Sequence, residues 1–268
     1  MPDGSPTRRL FLHGASIEVF ADAAGACRVA GDRIAAIVGH AVADRGRAAL
    51  GLATGATPRP VYERLVSLYR ARTLSFEQVS TFNLDEYYPI SPVDPRSYHV
   101  YMQRHLFDHV NLAPNRAHVL DGTVPEASAA HHAADFDAWI ADEGGLDVQL
   151  LGIGRNGHIG FNEPNELPLE DALKLPTRLV DLHPTTRGDA AREFGTIDRV
   201  PTRALTVGVA SILAARTILV LAFGPNKADA VAQSLLGPAT GHVPASLLQA
   251  VGPHVVWMLD EPAARELV

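Results

Sequence analysis

Apolar residues along this chain follow two patterns that alternate from end to end. Short unbroken apolar runs at 50–53, 147–153 and 218–223 have the character of strands buried on both faces of a parallel sheet. A shorter strand is predicted at 81–84 and another at 177–182. Between these runs, apolar positions recur at helical spacing. Ile34, Ile37, Val38, Ala41 and Val42 mark a helix over 32–47, and Val61, Leu65 and Tyr69 mark one that follows Pro58. Ser97 can cap a helix carrying Tyr98, Met102, Leu106 and Val110. Pro125 opens a helix that runs to about Glu143, with Phe136, Trp139 and Ile140 as its core face. Residues 165–176 are acidic and punctuated by Pro, which predicts a mobile excursion. A further helix is predicted to begin near Gly188. No Ser/Gly linker, repeat or charge block interrupts this alternation. The expectation is an α/β chain forming one domain over 1–268, an open and mainly parallel sheet flanked by helices, with 1–9 as a flexible tail.

Composition narrows the classes of function. The 268 residues are 47% hydrophobic, ample for a core. Cys27 is the single cysteine, which excludes an internal disulfide framework and fits the cytoplasm. The start, MPDGSPTRRLFLHG, has no apolar stretch of the kind a signal peptide needs, and nowhere do about 18 apolar residues run together. A net charge of −7 argues against nucleic acid as the main partner. It does not oppose an anionic small molecule, which a few local donors can hold.

The chemistry concentrates where strands end, and ligands of open parallel sheets bind beyond the carboxyl ends of their strands. In LLGIGRNGHIGFNEP, residues 150–164, an apolar run passes into a glycine-studded turn carrying Asn156, His158, Asn162 and Glu163. His158 and Glu163 are suited to proton transfer. In LGLATGATP, residues 50–58, a strand end enters Thr54-Gly55-Ala56-Thr57 before Pro58. Such a turn is either a plain strand–helix connection or a phosphate cradle of backbone N–H groups and hydroxyls at a helix N-terminus. It lacks the GK[ST] ending of a nucleotide-triphosphate loop. TFNLDEYYPI, residues 81–90, sets Asp85 and Glu86 at a strand end as candidates for acid–base work or as a solvated acidic turn. In ILVLAFGPNKADAV, residues 218–231, Lys227 falls in a first helical turn, where the dipole disfavours a cation unless it holds an anion or points to solvent.

No cofactor motif is present. His131 and His132 are adjacent and face different ways, and His105 and His109 have ligand spacing without a completing carboxylate cluster, so no metal site is expected.

GLATGATP, TFNLDEY, SYHVYMQRHLFDHVNL, LLGIGRNGHIGFNEP, RALTVGVASIL and GPNKADA occur in that order from about Gly51 to Glu261. Together they resemble the glucosamine-6-phosphate deaminase family, also called glucosamine-6-phosphate isomerases. FNLDEY and GHIGFNEP are the specific strings, and FNEP separates the resemblance from the related 6-phosphogluconolactonases. The resemblance implies a Rossmann-like fold of the deaminase/6-phosphogluconolactonase type. It implies aldose–ketose isomerisation and hydrolytic deamination of glucosamine 6-phosphate to fructose 6-phosphate and ammonia, with no cofactor. Asp85 would take the C2 proton. His158 would act in ring opening, supported by Glu163. Thr54, Gly55, Ala56, Thr57, Arg187 and Lys227 would hold phosphate. Many members carry Asp two residues before the histidine, where this chain has Asn156, which can orient the imidazole but adds no charge. The alternatives are an epimeric substrate such as galactosamine 6-phosphate, lactone hydrolysis, and a non-catalytic sugar-phosphate sensor. Some members are hexamers activated by N-acetylglucosamine 6-phosphate. The rewritten 165–176 and the short stretch after Pro262 lead here to the expectation of a monomer or small homo-oligomer with hyperbolic saturation.

Overall fold

In the computed structural model, which describes residues 5–267, the chain opens with an antiparallel hairpin of β1 (Arg8–Leu12) and β2 (Ala15–Phe20). α1 (Ala23–Arg45) starts at Asp22, whose carboxylate accepts from the Gly25 N–H, and ends at Gly46 in the left-handed conformation. β3 (Ala48–Leu52), α2 (Arg59–Arg70), β4 (Val79–Asn83), β5 (Asp85–Tyr88), α3 (Tyr98–His105), β6 (Ala117–His118) and α4 (Glu126–Asp142) follow. Then come β7 (Val148–Gly152), the single turn α5 (Leu169–Ala172), β8 (Arg178–Asp181), α6 (Pro184–Phe194), β9 (Arg203–Thr206) and α7 (Val209–Leu213). β10 (Ile218–Ala222), α8 (Ala228–Leu236) and β11 (Val255–Asp260) complete the order.

Eight strands form one sheet in the order β1-β2-β11-β10-β7-β3-β4-β6, parallel throughout except for β1 against β2. From β3 the chain moves outward through β4 to β6, then returns to β7 on the other side of β3 and moves away through β10. The strand order therefore reverses between β3 and β7, and a crevice opens there beyond the carboxyl ends. β5, β9 and β8 form a separate antiparallel sheet just past the end of β4.

Strand alternation builds the core on both faces of the large sheet. Leu219 and Leu221 pack with Ile34, Val61 and Leu65 of α1 and α2. Ile218, Val220 and Ala222 join Phe136, Ile140 and Trp257 on the opposite face. Each fully buried Leu or Ile contributes roughly 1.5–3 kcal/mol.

Several expectations give way to packing. Thr7 N–H donates to Val19 O and Arg8 to Leu12 pair with β2, so the expected tail is ordered from Thr7, and residues 1–4 of it lie outside the described residues. α1 begins well before 32, because Ala26, Ala30 and Gly31 let it approach α2 closely; a Cβ on Gly31 would meet the Arg64 side chain at 2.7 Å. Pro58 is the N-cap of α2, and Tyr62 takes the buried place given to Tyr69. Trp139 stays 40% exposed. Residues 165–176 are docked: Ala172 is buried with Val209 and Leu247, Asn165 N–H donates to Gly241 O, and Leu175 O accepts from Ala210 N–H. α6 starts at Pro184, with His183 Nδ1 accepting from the Thr185 N–H, rather than near Gly188.

Candidate active site

A cleft of about 650 Å³ opens at the reversal between β3 and β7. It is lined by Thr54, Gly55, Ala56 and Thr57 after β3, by Asp85, by Gly154, Arg155 and His158 after β7, by one face of α6, and by Lys227. Its volume suits a ligand of sugar-phosphate size.

At one end the loop 54–57 passes into the N-terminus of α2. Gly55 has φ +96°, a backbone turn that glycine adopts without strain. The carbonyls of this loop are tied from behind: Tyr62 O–H donates to Ala53 O, and Tyr101 O–H donates to Gly55 O at 2.6 Å. With the carbonyls fixed, the opposite side of the loop can present its N–H groups and the Thr54 and Thr57 hydroxyls to the cleft. Lys227 ends a short 3₁₀ turn (Pro225–Lys227) before α8, and its Nζ donates to Ile153 O at 2.7 Å. That bond lays the ammonium across the end of β7. Burial first, with a smaller push from Arg155, holds Lys227 below the usual lysine range, while Asp189 opposes the shift.

Asp85 and Glu86 form no turn; they begin β5 and are buried. Asp85 pairs with Thr206 of β9, and its carboxyl has no hydrogen-bond or ion-pair partner among the described residues. Burial, with the neighbouring Glu86, pushes it up to about 8. Glu86 is held up by burial against the pull of Ser97 and three backbone N–H groups.

The turn after β7 is built around the His158 ring. A Cβ on Gly154 would meet that ring at 2.2 Å, so only glycine lets the imidazole lie over the backbone there. His158 Nδ1 lies 2.7 Å from Asn156 Oδ1, 3.2 Å from Thr186 Oγ1 and 3.5 Å from Glu163 Oε2. Asn156 Nδ2 donates to the same Glu163 Oε2 at 3.0 Å, so the amide bridges imidazole and carboxylate. Acceptors crowd Nδ1, which assigns the proton to Nδ1 and leaves Nε2 as the free base. Glu163 is half-buried, which resists ionisation, but His158, Thr186 and Asn156 outweigh this and hold it below the usual glutamate range. The turn is anchored on the small sheet: Phe161 N–H donates to Thr206 Oγ1 at 3.0 Å and Asn162 Nδ2 to Val207 O at 2.9 Å.

α6 forms the remaining wall. Thr186, Asp189, Ala190 and Glu193 follow the spacing of one helix face and line the cleft, with Arg192 at the rim. Arg187 does not join them. It turns away along the helix, and its guanidinium donates to Ile197 O at 3.0 Å and Val200 O at 3.4 Å. It staples α6 to the next 3₁₀ turn (Ile197–Arg199) and, contrary to the expectation that it holds phosphate, does not line the cleft, whereas Arg192 does. An early start for α6 would have given the right helical phase. Sequence reasoning also missed Tyr98, Thr186 and the ion pair between Arg155 and Asp189 on two walls of the cleft. Among the described residues no three His, Cys, Asp or Glu side chains group as metal ligands; His109 Nε2 lies 2.8 Å from Arg104 O, and the His105 ring packs tilted against Tyr101.

The cleft thus combines an anion-holding end with an end that carries an unpartnered carboxyl and an oriented imidazole. Such a set can fix a phosphate ester and move protons along its carbon chain.

A family model described as glucosamine-6-phosphate isomerases/6-phosphogluconolactonase matches residues 21–257. The glucosamine-6-phosphate deaminase of Halothermothrix orenii is 46% identical over 215 residues, which is 80% of this chain and 86% of that protein. A solved monomeric glucosamine-6-phosphate deaminase superposes with a TM-score of 0.86 at 36% identity, covering 93% of this chain and 99% of that one. The 6-phosphogluconolactonase of Trypanosoma brucei shares the fold, with a TM-score of 0.74 at 21% identity over 94% of this chain and 98% of its own.

Proposed function

The chain belongs to the glucosamine-6-phosphate isomerase/6-phosphogluconolactonase family, and from that premise we propose that it converts glucosamine 6-phosphate and water to fructose 6-phosphate and ammonia. The observation that carries this reading is the pairing, in one cleft, of the Asp85 carboxyl and the His158–Asn156–Glu163 set with the 54–57 loop, Lys227 and Arg192.

The phosphate sits on the 54–57 amides and hydroxyls, with Lys227 and Arg192 supplying charge. His158 Nε2 takes the proton of the anomeric hydroxyl and returns one to the ring oxygen, which opens the ring. Glu163, reached directly and through Asn156, stabilises the imidazolium formed in passing. Asp85 removes the C2 proton while the C2 ammonium gives up a proton and O1 gains one, leaving an enolamine; Asp85 then returns its proton to C1, giving the ketose iminium, and water adds at C2 and ammonia leaves. In the free protein Asp85 holds its own proton to about pH 8. The protonated amine at C2 of the sugar is a cation beside that carboxyl, and its arrival favours the carboxylate that the next step needs. Anchoring the remote phosphate aligns C2 with Asp85.

The matched monomeric deaminase supports a monomer. The lone cysteine supports a cytoplasmic setting, and no helix among the described residues is long and apolar enough to cross a membrane. Ammonia release from glucosamine 6-phosphate, measured with chelator present and beside galactosamine 6-phosphate and 6-phosphogluconolactone, tests the reading. Lactone hydrolysis without ammonia from either amino sugar would overturn it.

A further inference from the structure

Glu86 is 2% exposed, no cation pairs with it among the described residues, and the reaction as derived gives it nothing to do. Strand alternation in β5 sends it to the opposite side from Asp85. There its two oxygens meet donors only. Oε1 accepts from the Tyr87 N–H at 2.9 Å and the Tyr98 N–H at 3.1 Å, and Oε2 accepts from Ser97 Oγ at 2.5 Å and the His99 N–H at 3.3 Å. Ser97 Oγ itself accepts from the His99 N–H at 3.0 Å, which frees its own proton for Glu86. Three backbone N–H groups and the Ser97 hydroxyl thus favour the carboxylate against the burial that opposes it, and the N-terminus of α3 favours the same charge.

We propose that Glu86 is a positioning residue for the deamination: its buried carboxylate fixes the start of α3, and so places Tyr98 against Asp85 and Tyr101 behind the phosphate loop, while lending Asp85 a like-charged neighbour. This deepens the deaminase reading and rests on it. α3 touches both ends of the cleft. Tyr98 packs on Tyr87 at 5.0 Å and on Phe161 at 6.1 Å and lines the cleft beside Asp85. One turn later Tyr101 holds Gly55 O. The amides of Tyr98 and His99 at the head of this helix are held by Glu86 and Ser97, so the carboxylate sets the register of both tyrosines. The charge matters separately. Asp85 faces Tyr62 of α2, Tyr87 of its own strand and Tyr98 of α3, and shares the cleft with His158, Glu193, Arg192 and Lys227. Of these neighbours Glu86 is the one whose charge adds to burial in raising Asp85.

The test follows the Asp85 carboxyl by carbon-13 NMR, assigned through its absence in Asp85→Asn, in the wild type, Glu86→Gln and Glu86→Ala, together with kcat and KM against pH. Glu86→Gln removes the charge and retains an acceptor for the helix. Its Asp85 midpoint and the acid limb of kcat/KM should both move down by about one pH unit. Glu86→Ala also loses the cap, and kcat should fall about 10- to 100-fold with a smaller rise in KM. A purely structural Glu86 lowers the melting temperature of both variants while the Asp85 midpoint stays put, and that result overturns the proposal. If Glu86→Ala does not fold, the Glu86→Gln titration decides. A wild type that releases no ammonia sinks the deaminase reading but leaves the carboxyl titration readable.

Discussion

At the 54–57 end of the cleft, polarity comes from backbone amides and a lysine pinned to the end of β7, all on loops of the large parallel sheet. At the Asp85 end it comes from side chains that the small antiparallel sheet delivers: Asp85 from β5, opposite Thr206 of β9, which also anchors the His158 turn. The first end is built to hold a charge that does not change. The second keeps a carboxyl protonated by burial and an imidazole in one tautomer by crowding acceptors at Nδ1. The comparison teaches that an anion at the first end would rest on loops of the large sheet alone, whereas the proton-transfer end needs both sheets, Asp85 on β5 and His158 on the turn after β7.

The sharpest break comes at Asp85. Asp85→Asn should lower kcat by about 10²–10⁴-fold with KM little changed, because general-base loss acts on the chemical step. The same variant should be more stable than the wild type. An acid whose folded pKa is raised from 3.8 to about 8 costs stability once the unfolded chain ionises. The stabilisation should therefore be absent below pH 4, grow toward pH 8 and then level off, as a rise in melting temperature of about 2–4 °C per kcal/mol. Retention of more than a tenth of kcat would remove Asp85 as the base.

Next is the anion end. Lys227→Ala and Arg192→Ala should each raise KM for glucosamine 6-phosphate about 10- to 100-fold, the range of a charge-assisted hydrogen bond, and barely change weak binding of glucosamine. Arg187→Ala should lower the melting temperature and leave KM within a few-fold, since its guanidinium serves the carbonyls of Ile197 and Val200. An Arg187 variant with the KM defect and an Arg192 variant without it would reverse the assignment.

Smaller effects belong to pH. With carboxylate Asp85 as the active form, kcat/KM should fall tenfold per pH unit below about 8, and the limb in kcat should lie lower because the bound ammonium favours ionisation. Asn156→Asp would set two carboxylates 3.0 Å apart and stabilise the His158 imidazolium. Its kcat should then differ from that of the wild type by a few-fold with KM unchanged. An identical kcat would mean that Asn156 only spaces the turn.

The smallest expected effect is at the Arg155–Asp189 pair, which is nearly half exposed on both sides. Asp189→Asn should barely move the melting temperature, and less still in salt, because water screens the pair. A larger loss in KM, rescued by exchanging the two charges, would show that the pair holds α6 over the cleft.

Local pattern and residue chemistry were enough to determine the parallel strands around 50–53, 147–153 and 218–223, the helices after Ser97 and Pro125, and the loops that carry Thr54, His158 and Lys227. Each rests on neighbours in sequence: apolar runs, caps and glycine turns. Tertiary structure alone decided the rest. Asp85 and Glu86 read as lying at the end of the strand over 81–84 because nothing nearby in sequence announces β9, yet pairing with Ala204 to Thr206 makes them the start of a separate buried strand. Residues 165–176 read as mobile because their polarity hides Ala172, whose partners Val209 and Leu247 come from elsewhere in the chain. Arg187 and Arg192 have the same local chemistry, and only the phase of α6 against the sheet turned one to the cleft and the other to a backbone staple. The raised Asp85 follows the same logic: a carboxyl's charge state is set by how much water its neighbours exclude, and those neighbours, Tyr62 and Tyr98 among them, are assembled by the fold.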